Sequence, residues 1–496
     1  MKKTQQNVLF AILLAVALFI VILQFQTVSS TNYPSYSSFY GVRQVESIQK
    51  NGFPTIFDDL SYQGRVDVTQ ILFYYLSSFF TLFIPVLLFF KYASIFIWAL
   101  IVFLIYYVSN QLFANKMIIW LITFFTALSP ILFTANLNTF EPTALFAVFF
   151  LLILNSFFSI KEENSLTFVV LILLSTFVSS LSLIFVVGFL IYVILIKISS
   201  KKLSGFELEL ILFSGVFITW LHFILYRKLF LEHGVSLFQA SIPTELLLGS
   251  FYGLSVPMAI AIAGMLPLLL GLYGTYYVLF QEVNKKHLLL VSFLFSFIIA
   301  LWAGFISFTQ GFLFITLLLL LLSGVTLKQF NGYLNKTVLQ KLKPLFVILA
   351  LVLVIVNFIP VLGYSSFIQT QSPTKDEMQT MKFIEQNTAK ESTVLSTIQE
   401  GHLISSQGKR KNFFDTNFIF APQANQRYQD AKNMFLSKSE TAVVGQMDYY
   451  GIDYVYISPQ TQKTYPTTTS VFENGDCFNL IFETNTTKLF EETCNK

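Results

Sequence analysis

Three carboxylates stand where chemistry is possible. Glu141 lies in Asn138-Thr139-Phe140-Glu141-Pro142, just ahead of a strongly apolar run, and Asp58 and Asp59 lie side by side in a polar stretch. An acid at the mouth of an apolar helix can bind a divalent cation such as Mg or Mn, or take a proton from an attacking hydroxyl. A plainer role competes at each position. Pro142 is suited to the first turn of a helix, which makes Glu141 or Thr139 an N-cap, and the aspartate pair can simply shape a turn before Leu60. Other chemical signatures are missing: no phosphate-cradling glycine loop, no paired-histidine metal motif and no nucleophile elbow occurs. His222, His233, His287 and His402 are too scattered to define a metal cluster.

The surroundings of these acids come from composition. The chain has 496 residues, 55% hydrophobic and 12% charged, with 57 phenylalanines and a mean hydropathy of +0.67. A soluble domain carries about a quarter charged residues, so this is an integral membrane protein. The net charge of +4 carries no argument for nucleic-acid binding. Lys2 and Lys3 precede an apolar run near Val8–Gln24, which reads as a retained helix with a cytoplasmic N-terminus. Asn32–Gln70 is then an external loop, far longer than a connector needs. Within it Phe39, Val42, Val45 and Ile48 recur every three residues, predicting a short helix ended by Asn51-Gly52.

The stretch at 71–90 either crosses the membrane or lies outside as a membrane-embedded hairpin before a span at Tyr92–Phe113. Charge bias favours the hairpin, because it leaves the lysines of the later short loops on one side. Further apolar runs at about 117–134, 141–159, 166–180, 182–197, 207–226, 256–280, 288–306, 308–327 and 345–363 bring the expected number of crossings to about eleven. A second external loop, about 227–256, begins with Arg227 and Lys228. Composition turns polar after Tyr364. The expected division is a membrane domain at 1–371, including the loop at 27–91, and an external α/β domain at 372–496. Lys375–Asn387 reads as a helix and Asp453–Ile457 as a strand. Cys477 and Cys494, both in that domain, make a disulfide plausible in an oxidising compartment.

Four stretches carry a family resemblance: Phe39-Tyr40-Gly41-Val42-Arg43 with Glu46 and Asn51-Gly52-Phe53; Asp59 through Arg65; Ser129-Pro130-Ile131 through Glu141; and Ser396 through His402, with Arg410 and Asp415-Thr416-Asn417 after it. In order and spacing they resemble the GT-C membrane glycosyltransferases, nearest to the catalytic subunit of oligosaccharyltransferase and its archaeal-type relatives. The resemblance implies a polytopic helical membrane protein with a large first external loop and an external C-terminal domain. It places Glu141 at the family's metal-motif position. Two positions depart from the pattern. Ser37 stands where the first-loop aspartate falls, and Thr397-Ile398-Gln399-Glu400-Gly401 stands at the WWDYG motif, so Gln399 and Glu400 replace acceptor-reading residues. The expected function is sugar transfer from a polyprenyl-phosphate donor at the outer membrane face. Arg227 and Lys228 would hold the phosphate, and Asp58 or Asp59 would stand in for the missing acid. The alternative is a catalytically inactive scaffold that binds a polyprenyl lipid or a partner protein.

Overall fold

The computed structural model describes residues 3–67, 70–160, 165–227, 231, 256–418, 421, 423–466 and 469–494. These residues form two compact units. One comprises Met1–Val28, Tyr92–Leu225 and Ser250–Ser365; the other gathers Ser29–Lys91 and Ser366–Lys496. The first loop therefore groups with the C-terminal domain, where the sequence had placed it in the membrane domain. The reason is visible in its side chains, which are buried against that domain.

The first unit is helical. Among the described residues seven helices are long and apolar enough to cross a membrane, and five shorter apolar helices accompany them. The helices used below are α1 (Lys3–Ser29), α2 (Ser38–Asn51), α3 (Ile71–Thr81), α4 (Val86–Leu112), α5 (Lys116–Ala127), α6 (Pro130–Thr134) and α7 (Pro142–Phe158). Two of the eleven expected runs are broken. The run at 117–134 splits between α5 and α6, because Pro130 cannot continue a helix and starts a new one. The run at 256–280 breaks at Gly264, whose φ of 92° only glycine adopts freely. The 71–90 segment does not cross as one helix. Its first part is the 11-residue α3, and the long apolar helix α4 starts at Val86.

Phe308–Asn335 is the most buried of the long helices and packs along Met265–Phe280. Lipid supplies little hydrophobic drive between helices, so close approach depends on small residues. A Cβ on Gly271 would sit 2.6 Å from the Leu319 carbonyl oxygen, and one on Gly274 would strike that of Leu322.

The second unit contains a five-stranded sheet. Its strands are β3 (Thr393–Leu395), β4 (Lys411–Asn412), β5 (Tyr454–Ile457), β6 (Phe478–Glu483) and β7 (Lys488–Glu492), after a small hairpin of β1 (Phe57–Asp58) and β2 (Arg65–Val66). The order is β4-β3-β5-β7-β6, with β3 parallel to both neighbours and the β5, β7 and β6 pairs antiparallel. Cys477 and Cys494 are joined by a disulfide across β6 and β7, with Cα atoms 5.0 Å apart. Lys375–Asn387 is a helix opened by a capping box between Thr374 and Glu377.

Replacing Gly274 by alanine should force the two helices apart. We expect a loss of about 1–3 kcal/mol, read as a lower denaturation midpoint in detergent. An unchanged midpoint would mean the helices do not rely on this contact.

Candidate functional site

The first loop is organised by α2. Phe39, Val42, Val45 and Ile48 are all buried, and Gly52 ends the helix in a left-handed turn whose N–H bonds to the Ile48 carbonyl. The opposite face presents Tyr40 and Arg43. After β1 the chain makes a tight turn in which Tyr62 and Gln63 have φ of 54° and 64°. Left-handed backbone at two successive non-glycine residues costs free energy, and it persists where packing holds it. Here Tyr62 is fully buried, with its hydroxyl donating to the Asp415 carbonyl at 2.5 Å and Arg65 and Arg427 near its ring. Ser61 pairs with Asn412 beyond the β4 edge, so the loop extends the sheet.

Charges converge at this seam. Asp58 is buried and clasped by Arg43 through both of its guanidinium nitrogens, one bond being 2.9 Å, with Arg65 3.6 Å from the same carboxylate. Arg65 continues to Asp415 Oδ1 at 3.3 Å and to the Asn417 carbonyl at 2.8 Å. Asp415 also accepts from Ser61, from Asn412 at 3.2 Å and from the Asn417 N–H at 2.9 Å. Burial works to raise its pKa, but Arg65 and these donors together hold it well below the carboxylate range. His402 stands 3.6 Å from Asp415, yet burial lowers its pKa, so the imidazole is neutral and the contact is not an ion pair. Its other ring nitrogen meets Thr416 Oγ1 at 3.1 Å, and Tyr40 packs on its ring at 5.3 Å.

Asp67 differs from its neighbours. Tyr40 donates to its Oδ2 at 2.6 Å, while Oδ1 is buried with no hydrogen-bond partner among the described residues. Burial, only partly offset by Arg65 and Tyr40, raises its pKa to about 6. A second acidic cluster lies nearby on the same unit. The Tyr36 hydroxyl donates to Glu377 Oε1 at 2.7 Å, and Glu400, fully buried, accepts from the Thr397 hydroxyl at 2.6 Å and its N–H at 3.1 Å. Burial and the neighbouring Glu377 raise Glu400 to about 7, and Glu377 is raised by its own burial.

The expected site residues meet different fates. Asp58 is buried and paired with Arg43 and Arg65. Asp59 is exposed. Glu141 occupies the N-cap position of α7 in the other unit, half-buried, and its carboxylate makes no capping bond. Ser37, exposed, sits at the N-cap of α2 with its hydroxyl 3.1 Å from that of Ser35. Gln399 is half-buried with Oε1 unpartnered among the described residues. Arg227 is exposed, and Lys228 lies outside the described residues. Sequence reading passed over Asp67 and Tyr40. Their only signal was a polar pair flanking the Asp58 hairpin, 27 residues apart. The motif-level glycine has a clear cause: a Cβ on Gly401 would collide with the Phe414 carbonyl.

No group of three or more His, Cys, Asp or Glu side chains among the described residues could hold a metal ion.

Helices of this kind joined to a mixed sheet, with the first loop laid on the C-terminal domain, constitute the fold of the GT-C membrane glycosyltransferases. The chain is similar to the archaeal oligosaccharyltransferase AglB from Archaeoglobus fulgidus in complex with an inhibitory peptide and a dolichol-phosphate. That match has a TM-score of 0.64 at 12% identity, covering 90% of this chain and 69% of the other. The apo form of the Archaeoglobus fulgidus enzyme matches at 0.64 and 14% identity, over 92% and 70%. ArnT from Cupriavidus metallidurans bound to undecaprenyl phosphate matches at 0.56 and 10% identity, over 98% of both chains. No family model matches the sequence, and no curated protein matches it.

The raised carboxylates fix a pH dependence. A folded pKa above the unfolded one stabilises below the unfolded value, and that contribution is lost as pH rises through the folded value. For Glu400 the window runs from 4.5 to about 7, and for Asp67 from 3.8 to about 6. Asp415, depressed, acts oppositely and loses its contribution only in strong acid. Thermal unfolding of the full chain in detergent should therefore weaken between pH 5 and pH 8. Glu400→Gln should remove part of that decline, on the order of 3 kcal/mol at the alkaline end. Parallel pH profiles for variant and parent would contradict the assignment.

Proposed function

We propose that this chain is a glycosyltransferase that takes a sugar from a polyprenyl-phosphate donor at the outer face of the membrane. The observation that carries the reading is a fold shared along nearly its whole length with two lipid-linked glycosyltransferases, one bound to dolichol-phosphate and the other to undecaprenyl phosphate. The chemistry asked of the protein is simple. The bond from the anomeric carbon to the phosphate oxygen breaks, a bond from that carbon to an acceptor hydroxyl oxygen forms, and the hydroxyl proton leaves. Glu141 is the group assigned to receive that proton. It sits at the start of an apolar helix, directly ahead of Pro142 at the first helical position. Arg227, exposed at the end of Gly205–Leu225, is assigned to the departing phosphate together with Lys228.

A specific observation favours the scaffold reading as the second choice. Ser37 offers no carboxylate, and Asp58 is held by Arg43 and Arg65, so neither supplies a first-loop acid. Purified protein incubated with polyprenyl-phosphate sugars separates the two, since a scaffold binds the lipid without releasing sugar. Glu141→Gln should lower transfer at least about a hundredfold with unchanged unfolding behaviour. Transfer that persists in the variant would remove Glu141 from catalysis.

The same reading sets the orientation: N-terminus cytoplasmic, C-terminal domain external. Single cysteines at the exposed Lys336 and Lys375 should label from opposite sides of sealed vesicles with an impermeant maleimide. Labelling from one side would reverse the topology.

A further inference from the structure

Helix α1 is apolar from Val8 to Leu23 and then places an amide inside the protein: Gln24 is 1% exposed. A buried polar group on an apolar helix of this length is expensive and calls for a partner. Phe25, its neighbour, stacks on Tyr92 at 5.4 Å and meets Phe96 edge-on at 6.4 Å, which packs α1 against the first turns of α4. Ser94 and Trp98 lie four residues apart on one face of α4 and are buried as well, at 6% and 3% exposure. Gln24 Oε1, Ser94 Oγ and Trp98 Nε1 have no hydrogen-bond partner among the described residues. A hydroxyl in an apolar helix can satisfy itself by bonding back one turn, as Thr27 does to the Leu23 carbonyl at 2.7 Å. Ser94 makes no such bond.

All three side chains line one cavity, in which the centre of a water molecule has about 20 Å³. A buried water needs roughly 10–15 Å³ so measured, together with roughly two to four polar partners. The space therefore takes one or two. The lining atoms decide what kind of ligand fits. An indole N–H only donates and an amide oxygen only accepts. A cation is repelled by the first and an anion by the second, whereas a molecule that both accepts and donates satisfies the pair. Among the described residues no charged side chain lines the cavity, which leaves a neutral ligand. We propose that this cavity is a binding site for water, which accepts from Trp98 Nε1, donates to Gln24 Oε1 and bonds to the Ser94 hydroxyl. Asn136, Leu137 and Ala144 line the same space, so this hydrogen-bonded joint of α1 and α4 lies against the turn that carries Glu141. The site stands whether or not the protein transfers a sugar.

Nuclear magnetic resonance of the indole groups tests it. The chain has four tryptophans, so the full protein, deuterated at carbon and isotopically labelled only at tryptophan nitrogen, gives four indole N–H signals. The signal missing from Trp98→Phe is that of Trp98. In nanodiscs of deuterated lipid its proton should show a cross-relaxation peak at the water frequency, opposite in sign between laboratory and rotating frames, as a held water gives and simple exchange does not. Ser94→Ala removes the one lining hydroxyl whose exchange would imitate that peak, and the peak should remain. Gln24→Met, apolar and similar in length, should weaken it several-fold, because the water loses its acceptor. No such peak in the parent chain would mean a dry or lipid-filled cavity and would overturn the proposal. Loss of the peak in Ser94→Ala would assign it to the serine, and an undiminished peak in Gln24→Met would remove the amide from the site; either result overturns it too. The parent chain gives the first reading, so a variant that fails to fold leaves that reading standing.

Discussion

The bond between Arg43 and Asp58, with Arg65 behind it, is the constraint on which the second unit depends. Removing a buried partner from such a pair leaves an uncompensated charge in a medium that solvates it poorly, at a typical cost of about 3–5 kcal/mol. Arg65 joins this pair to Asp415, and Asp415 is reached only if Ser61, Tyr62 and the β1–β2 hairpin are seated on the C-terminal domain. Loop placement, the left-handed turn at Tyr62 and Gln63, and the close packing at Gly401 are thus one arrangement.

That coupling explains what was legible in the sequence. The α2 stripe was readable because Phe39, Val42, Val45 and Ile48 share a helical face, and the Asn51-Gly52 stop has a local cause in left-handed backbone. The Lys375–Asn387 helix and the Tyr454–Ile457 strand were readable for the same local reasons. The grouping of the loop with the C-terminal domain was not. It rests on contacts between residues some 350 positions apart, such as Arg65 with Asp415, and periodicity carries no information at that range. Apolar runs were equally ambiguous about helix breaks, since a run through Pro130 or Gly264 has the same hydropathy whether or not it is one helix.

The site shows the same division. Asp58 looked like a free acid because its partners lie at three-dimensional neighbours, Arg43 on α2 and Arg65 on β2, and nothing in an aspartate pair reveals which member will be buried. Ser37 and Gln399, read as departures from a motif, remain departures in space: neither brings a carboxylate to the seam. The N-cap position of Glu141 was legible because its cue was local, a proline at the first helical position.

Charge counting gives the seam its remaining character. Arg43 and Arg65 balance Asp58 and Asp415, and His402 is neutral, so Asp67 is the third acid with no cation of its own. Burial then outweighs the field of Arg65 and the Tyr40 hydrogen bond, which is why its pKa rises while that of Asp415 falls. Two aspartates on one network are driven in opposite directions by the single question of which one Arg65 faces. The Glu377–Glu400 cluster repeats the logic without any arginine, and both of its acids are raised. Asp415, which a guanidinium meets, is thus driven down, while Asp67, Glu377 and Glu400, met by hydroxyls and amide N–H groups alone, are driven up.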